Sequence, residues 1–495
     1  MSLRRRLRGL FKSQSELDLT DGPIPQSLFF LSVPIVVTNL LQVGYNLADT
    51  FWLGRYSTEA LAAISLGFPL VYLFISLGLG LTVAGSVLVA QHTGAEQPDR
   101  AEYAASQAVA LTLLAGVALG AVGYGLVAEL LQVFGAEPTV LTLATEYMEV
   151  ISLGLPFLFG FTVFIALMRG AGDTVTPMLV MLGTVVLNVA LDPLLIFGVG
   201  PFPELGVEGA AVATVFARGS AMVVGVWLML RGAHGIRIRP RQMVPDLAFT
   251  RRLLRIGVPA SVENTGRALS INAVLVIVTM FSTSVVAGFG VGIRVFSMIF
   301  MPAIAVDRGV EAMTGQNIGA GRHDRVVATN RFAAKTSFLL FSAVGVVTFA
   351  FAPAIVGVFD DSPAVVAEGA SFLRWVAPTF GFIGVVRAYS GGFRGAGKTL
   401  TAAVIAVVLF GFVRLPIAYV ASRGLVPIDG WFFGAPSPTG IWFAFAVSSV
   451  IAAVVAMGWF ESGGWRGGDR TEPESGPSSR DAGDDERDAP VAGSD

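Results

Sequence analysis

The chain lacks cysteine entirely and carries little charge. Of its 495 residues, 14% are Asp, Glu, Lys or Arg, whereas 54% are hydrophobic. The absence of cysteine excludes disulfides and thiolate metal sites. The scarcity of charge excludes a soluble domain of this length, because the surface of such a domain needs more polar cover.

Apolar stretches of about 20 residues or more recur along the chain. Each is long enough to cross a hydrocarbon core of about 30 Å as a helix. The sequence therefore predicts an all-α membrane protein with about twelve transmembrane helices. We expect them at 26–53, 60–90, 104–127, 140–168, 176–198, 207–231, 253–280, 284–314, 333–357, 364–393, 399–424 and 438–460.

The distribution of basic residues predicts the orientation in the membrane. Arginines cluster before the first span and in the linker between the sixth and seventh spans, where Arg237, Arg239 and Arg241 lie. The odd-numbered connections are mainly acidic, as at Glu129 and Glu137. By the positive-inside rule, we expect a multi-pass protein of the cell membrane with both termini in the cytoplasm. No cleavable signal peptide is evident, because the first apolar run continues as a full span.

Two segments of the chain, 34–100 and 259–325, are copies of one another at a constant offset. Pro34 falls on Pro259 and Gln91 on Gln316, without a gap. The same offset lands Arg169-Gly170-Ala171-Gly172 on Arg394-Gly395-Ala396-Gly397. A duplicated hydrophobic bundle is the plan of a transporter whose two halves rock around a shared cavity.

This duplication divides the chain into two lobes. We expect a basic cytoplasmic N-terminus at 1–24, an N-lobe at 25–231, a cytoplasmic linker at 232–252 and a C-lobe at 253–461. The remaining stretch, 462–495, is rich in Gly, Pro, Ser, Asp and Glu and lacks an apolar run. This composition predicts a disordered acidic cytoplasmic tail.

Polar side chains form a stripe along the first span. Asn39, Gln42, Asn46 and Asp49 recur at a spacing that places them on one helix face. A carboxylate in a membrane span costs about 2.5–3.5 kcal/mol, so it indicates a functional site by default. We therefore expect the stripe to face the bundle interior or a wet cavity. A substrate pocket is predicted at Asn39, Gln42, Tyr45 and Asn46.

A second carboxylate lies in the fifth span. Asn188 and Asp192 are four residues apart and share a helix face. Helix rise places Asp49, Asp192 and Thr214 of the sixth span at a similar depth in the outer part of the membrane. Their oxygens suit a hard monovalent cation, and a proton could occupy the same place. The alternative is that both carboxylates merely bond neighbouring helices.

The repeat separates these two readings. Asp49 falls on Val274, Asn188 on Val413 and Asp192 on Ile417. A purely structural polar pair would be expected in both copies. We therefore predict an Na⁺ or H⁺ site, belonging to the N-lobe alone, at Asp49, Asn188, Asp192 and Thr214.

The C-lobe has a different set of buried charges. We predict a polar network there, formed by Glu263, Arg267, Arg294, Asp307 and Glu311. Because the signs balance, a structural ion-pair network is the favoured interpretation, with a substrate or second-ion role as the alternative.

One motif suggests a nucleotide site and is rejected. The segment from Gly392 to Thr399 satisfies the phosphate-loop pattern, but that pattern needs a preceding strand and a soluble nucleotide fold. We interpret it, and its repeat partner at Arg169, as tight cytoplasmic turns. No H-E-x-x-H cluster or Ser/His arrangement occurs in the spans, so an enzyme is not expected.

The motifs together resemble a known family. The chain carries SVPIVVTNLLQVGYNLADTFWLG in the first span, AQHTGAEQ and GQNIGAG after the second and eighth, and MRGAGDTVTPM and FRGAGKTL before the fifth and eleventh. It resembles the multidrug and toxic compound extrusion (MATE) transporters, in their DinF-like prokaryotic branch, over roughly residues 20 to 460.

The resemblance implies a V-shaped pair of six-helix lobes that exchanges Na⁺ or H⁺ for organic, often cationic and amphipathic, drugs. It places the ion site on Asp49, Asn188, Asp192 and Thr214, a bending proline on Pro34 and a pocket glutamine on Gln42. The chain departs from the family pattern at Asp307, Arg308 and Glu311, where small apolar residues are expected.

The sequence thus predicts a secondary antiporter. We expect small organic substrates, the lipid bilayer as surroundings, no cofactor other than the coupling ion, no nucleic acid or nucleotide, and a monomer. The main alternative is a lipid or lipid-linked oligosaccharide flippase, whose cavity would be lined by arginines such as Arg267, Arg294 and Arg387. A channel is not excluded, although it would not need a one-sided ion site.

Overall fold

A computed structural model describes residues 17–133, 136–232, 235–424 and 436–467. Within these ranges nearly all residues are helical and none is in a strand. The prediction of an all-α membrane protein is confirmed. The predicted basic segment 1–24 and acidic tail 462–495 lie mostly outside the described residues.

The N-lobe consists of six long helices, one for each predicted span. Their connections are short, and Ser57 caps the second helix by accepting a hydrogen bond from the Ala60 amide at 3.0 Å. The helices are α1 (Ile24–Tyr56), α2 (Thr58–Gly94), α3 (Pro98–Gln132), α4 (Pro138–Gly170), α5 (Val175–Ile196) and α6 (Gly206–Leu230).

The C-lobe also has six spans, two of which are interrupted. A 3₁₀ turn at Ala377–Thr379 joins two helices into the tenth span, and a π-helical segment at Val408–Val413 joins two more into the eleventh. The helices are α7 (Leu247–Val278), α8 (Thr283–Gly319), α9 (His323–Gly357), α10 (Pro363–Val376), α11 (Phe380–Gly395), α12 (Thr399–Val407), α13 (Arg414–Ser422) and α14 (Thr439–Glu461).

Eleven helical segments of the described chain are long and apolar enough to cross a membrane. The twelfth predicted span corresponds to α7, which has 32 residues. We attribute its lower hydropathy to its charged residues, which include Arg251, Arg252, Glu263 and Arg267. A charge on a membrane helix must face the protein interior or water. Glu263 is accordingly 2% exposed, whereas Arg251 lies on the exposed surface near the start of α7.

Several helices extend beyond the predicted spans. α9 begins at His323 instead of residue 333, and α7 begins at Leu247, inside the predicted linker 232–252. Hydropathy finds only the apolar middle of a helix whose polar ends continue past the hydrocarbon. At the other end of the chain, Trp465 is 2% exposed and stacks on Phe460. The packed part of the chain therefore continues into the predicted tail.

The two lobes meet through α1 and α2 on one side and α7 and α8 on the other. The repeated glutamines make equivalent bonds across this interface. Gln91 donates to the Gly395 carbonyl at 3.1 Å, and Gln316 donates to the Gly170 carbonyl at 3.0 Å. The repeat in the sequence thus corresponds to a repeat of contacts, because a glutamine of each lobe donates a hydrogen bond to a backbone carbonyl of the other.

Two glycines allow α2 and α8 to approach each other closely where they cross. A Cβ at Gly94 would lie 1.9 Å from the Gln316 carbonyl oxygen, and one at Gly319 would lie 1.8 Å from that of Gln91. Both distances are far below van der Waals contact. At the predicted cytoplasmic end, α2 and α8 therefore touch backbone to backbone, which only glycine permits.

Candidate functional site

The first element of the candidate site is α1, in which the predicted polar stripe follows Pro34. The helix runs continuously from Ile24 to Tyr56 through this proline. Thr38 donates to the Pro34 carbonyl at 2.8 Å. The first part of α1 contacts α8, where Leu28 and Ser32 lie against Gly309, and the helix also packs on α5 of its own lobe.

Two carboxylates from different helices meet inside the N-lobe. Asp49 of α1 and Asp192 of α5 are 4% and 0% exposed, and their carboxyl groups lie within hydrogen-bonding reach of one another. Asn188, one turn before Asp192, donates to the Asp192 Oδ1 at 3.0 Å. Two carboxylates cannot face each other in a buried place unless a cation or a proton lies between them.

Two hydroxyl groups complete this cluster. Tyr45, one turn before Asp49, is 2% exposed, and Thr214 of α6 lies beside it. Several oxygens of the cluster are buried without a hydrogen-bond partner: Tyr45 Oη, Asp49 Oδ1, Asn188 Oδ1, Asp192 Oδ2 and Thr214 Oγ1. Carboxylate, amide and hydroxyl oxygens are the ligands that a hard cation takes. We call these five residues the carboxylate cluster.

Arg218 of α6 is close enough for its charge to act on Asp49, but its guanidinium binds other groups. Its guanidinium donates to Gln42 Oε1 at 2.6 Å and lies 4.6 Å from the centre of the Tyr45 ring. No ion pair joins it to Asp49 or Asp192 within the described residues. The two carboxylates of the cluster therefore have no ion-pair partner within the described residues.

The predicted polar stripe of α1 divides into two parts. Asp49 is buried, whereas Gln42 and Asn39 are half-buried and Asn46 is exposed. Gln42 links the parts, because its amide donates to Asn46 Oδ1 at 3.1 Å while its carbonyl accepts from Arg218. Of the substrate residues predicted on α1, Asn39, Gln42 and Asn46 thus lie at a surface beside the carboxylate cluster, whereas Tyr45 is buried within that cluster.

In the C-lobe, Arg394 is the centre of a buried ion-pair network. Its guanidinium contacts three carboxylates, Glu263 at 3.0 Å, Glu311 at 2.9 Å and Asp307. More arginines surround these acids: Arg267 lies 3.1 Å from Glu263, Arg308 2.9 Å from Glu311 and Arg387 3.6 Å from Asp307.

Two predictions about this network need correction. Arg394 was assigned to a cytoplasmic turn, yet it lies in the last turn of α11 with 3% exposure. Arg294 was assigned to the network, yet it is exposed and forms no ion pair within the described ranges. The Arg394 side chain reaches acids of α7 and α8, and hydropathy does not detect such contacts between helices distant in the sequence. The signal that could have identified Arg394 is the repeated Arg-Gly-Ala-Gly.

The phosphate-loop-like segment is not preceded by a strand. α11 leads into it, and the chain turns at Gly397 with a φ of +73°. Its repeat partner turns at Gly172 with a φ of +95°. In each segment a tight turn between helices follows the last residues of a helix, so the predicted turn is shorter than the motif.

Two six-span lobes related by an internal repeat, packed around buried carboxylates, define the class: a polytopic membrane transporter. The family model MatE matches residues 34–194 and 259–420. The chain therefore belongs to the MatE family, and it is a transporter and not an enzyme.

Relatives match along most of the chain. "Probable multidrug resistance protein YpnP" of Bacillus subtilis is 28% identical over 91% of this chain and 97% of its own. The "FAD transporter" of Shewanella oneidensis is 29% identical over 83% of this chain and 90% of its own. Among solved structures, MATE in a bent conformation aligns with a TM-score of 0.83 and 24% identity over 91% of this chain and 97% of that one.

Proposed function

We propose that this transporter is a multidrug efflux antiporter of the DinF-like branch, coupled to Na⁺ or H⁺. Relatives that align over more than nine tenths of their own length are named as multidrug resistance proteins. Those names support export of organic, often cationic and amphipathic, compounds. They give no support to a lipid or oligosaccharide flippase.

The observation that carries the coupling is the meeting of Asp49 and Asp192. Their carboxyl groups lie within hydrogen-bonding reach, buried and without a neighbouring arginine in an ion pair. Such a pair needs a cation or proton for its stability. Asn188, Thr214 and Tyr45 supply further unpartnered oxygens to hold Na⁺. The coupling ion is thus a co-substrate, and no other cofactor is proposed.

Coupling to the substrate would pass through Tyr45 and Gln42. Tyr45 joins the carboxylate cluster to Arg218, and Arg218 bonds Gln42 on the predicted substrate surface. Binding of a cation at Asp49 and Asp192 changes the field at this surface. A substrate and a cation that favour different states of the N-lobe would then exchange for one another. Bending of α1 at Pro34 is the proposed conformational step.

The antiporter is proposed to act as a monomer in the cell membrane with both termini in the cytoplasm. In this orientation the contact of α2 with α8 closes the cytoplasmic end. The proposed energy source is an ion gradient and not a nucleotide.

The test is drug efflux from proteoliposomes under imposed Na⁺ and pH gradients, applied separately. The Asp192→Asn variant should lose gradient-driven efflux at least tenfold, because its side chain no longer carries the charge that holds the cation. Asp361→Asn is the matched control, since Asp361 is exposed in the connection between α9 and α10. Undiminished efflux by Asp192→Asn would refute the coupling role.

A further inference from the structure

The C-lobe contains a cavity of about 400 Å³ whose wall carries more arginines than carboxylates. Two carboxylates line the cavity, those of Glu263 and Asp307. Four arginines also line it: Arg267, Arg308, Arg387 and Arg394. Its apolar lining comes from Ala268, Ile271 and Ile304, with Tyr72 contributed by α2 of the other lobe. This volume is within the range of sites that bind drug-sized ligands.

The arginines of this cavity are not equally satisfied. Arg394 takes contacts from all three carboxylates of the network, Glu263, Asp307 and Glu311. Within the described residues, Arg387 makes a single ion pair, to Asp307 at 3.6 Å. The Nε atoms of Arg267 and Arg387 are buried and have no hydrogen-bond partner. Unused guanidinium donors therefore remain at the cavity.

Positive charge also exceeds negative charge around the cavity. Arg267 and Arg387 are close enough to repel one another. Arg169, at the end of α4, adds a further cation close to Asp307 and Glu311. A network that served only to neutralise buried acids would not need this excess.

Arg414 adds a further positive charge deeper in the C-lobe. It is 6% exposed, donates to Ser448 at 2.9 Å and lies between the rings of Phe410 and Phe445. No carboxylate pairs with it within the described part of the chain. Phe410 is also the ring beneath Arg267, at 5.0 Å.

We propose that this cavity binds an oxyanion group, a carboxylate or phosphate, of the transported compound. A guanidinium presents parallel N–H donors that match the oxygens of such groups. The apolar wall would hold the rest of an amphipathic molecule. The proposal rests on the proposed export function and refines its substrate class: preferred substrates carry a negative group, alone or beside a cationic one.

The test is equilibrium binding of two dyes to the purified protein in detergent, which needs no ion gradient. One is a rhodamine with a free carboxylate, and the other is the methyl ester of the same dye. The wild-type protein should prefer the free acid. Arg387→Gln and Arg267→Gln should each weaken binding of the acid about tenfold while leaving the ester unchanged. Arg374→Gln, an exposed arginine of α10, is the matched control.

Inorganic phosphate is the second arm, because it offers the same oxygens without a transported body. Competition by phosphate against the acid, lost in Arg387→Gln, supports an oxyanion site. An equal effect of the variants on acid and ester, or no preference for the acid in the wild type, overturns the proposal. Binding of phosphate alone overturns the assignment to substrate. Since no gradient is involved, each of these results leaves the coupling at Asp192 untouched.

Discussion

At the scale of single residues, the N-lobe contains two buried carboxylates, Asp49 and Asp192, that form no ion pair with an arginine or lysine of the described residues. Arg218 could have neutralised Asp49 and Asp192, but Gln42 and the Tyr45 ring hold its guanidinium. An arginine fixed between the carboxylates would form a permanent ion pair. In the antiport mechanism that we propose, the position of Arg218 leaves the charge of Asp49 and Asp192 to the coupling cation.

Thr214 provides the most specific test of how the cation is held. Its hydroxyl is buried and unpartnered beside Tyr45. Thr214→Val keeps the shape and removes one oxygen, so apparent affinity for the coupling cation should fall about tenfold. The measurement is cation-dependent protection against thermal unfolding in detergent.

Thr142→Val is the control, because the Thr142 hydroxyl bonds only the carbonyl of Pro138 in its own helix. If Thr214→Val kept the wild-type affinity, the hydroxyl would have no part in the site.

Arg394 should behave as a structural centre. Replacing it with Gln leaves three buried carboxylates without their common partner, a loss of the kind that costs about 3–5 kcal/mol. Thermal unfolding in detergent should show a clear decrease in Tm. The double change Arg394→Gln with Glu311→Gln should recover part of the loss.

Arg331→Gln supplies the comparison, because Arg331 pairs with Glu461 at the surface and its loss should leave Tm unchanged. A similar Tm for Arg394→Gln and Arg331→Gln would contradict the central role of Arg394.

At the scale of helices, α1 is an element that packs against both lobes. Its early residues contact α8, whereas Asp49 near its end faces α5. Pro34 lies between these regions and lacks the N–H that would bond the carbonyl one turn earlier. Bending there would move Asp49 relative to the C-lobe.

Pro34→Ala should therefore slow efflux by about tenfold or more and leave equilibrium binding of the cation unchanged. Initial rates in proteoliposomes and cation binding in detergent measure the two effects. Pro353→Ala, a proline within α9, is the control. Equal loss of binding and rate in Pro34→Ala would make Pro34 a static support and not a hinge.

The helices also show what the sequence could reveal. Spans and repeat were readable because hydropathy and the fixed offset depend on the sequence alone. The meeting of Asp49 with Asp192 was anticipated from depth along the helices. The contacts of Arg218, Arg294 and Arg394 could not be predicted in this way, because the direction of a long side chain depends on packing between helices distant in the sequence.

At the scale of the whole molecule, the two lobes share contacts but differ in charge. The acids of the C-lobe network, Glu263, Asp307 and Glu311, stand at the positions of Thr38, Thr82 and Ser86 in the repeat. In the other direction, Asp49 and Asp192 of the N-lobe fall on Val274 and Ile417. A common scaffold thus carries an acidic site in one lobe and an arginine-rich cavity in the other.

The crossing of α2 and α8 should control closure of the predicted cytoplasmic end. Gly94→Ala places a methyl group against the Gln316 carbonyl, so the lobes should separate there. Because the chain has no cysteine, cysteines at Asp99 and Asp324 can carry spin labels without further changes. The distance distribution between labels should shift to longer values.

Gly125→Ala, where an added methyl group meets nothing within 4 Å, should leave the distribution unchanged. An identical distribution in Gly94→Ala would show that this contact does not hold the lobes together.

The central claim is that Asp49 and Asp192 share one exchangeable cation. The most direct measurement is equilibrium uptake of radiolabelled Na⁺, and separately of protons by a pH indicator, on purified wild-type and Asp192→Asn protein. We expect saturable uptake of a single cation by the wild type, displaced by drug, and no uptake by the variant. Equal uptake by the two proteins would show that Asp192 does not hold the cation.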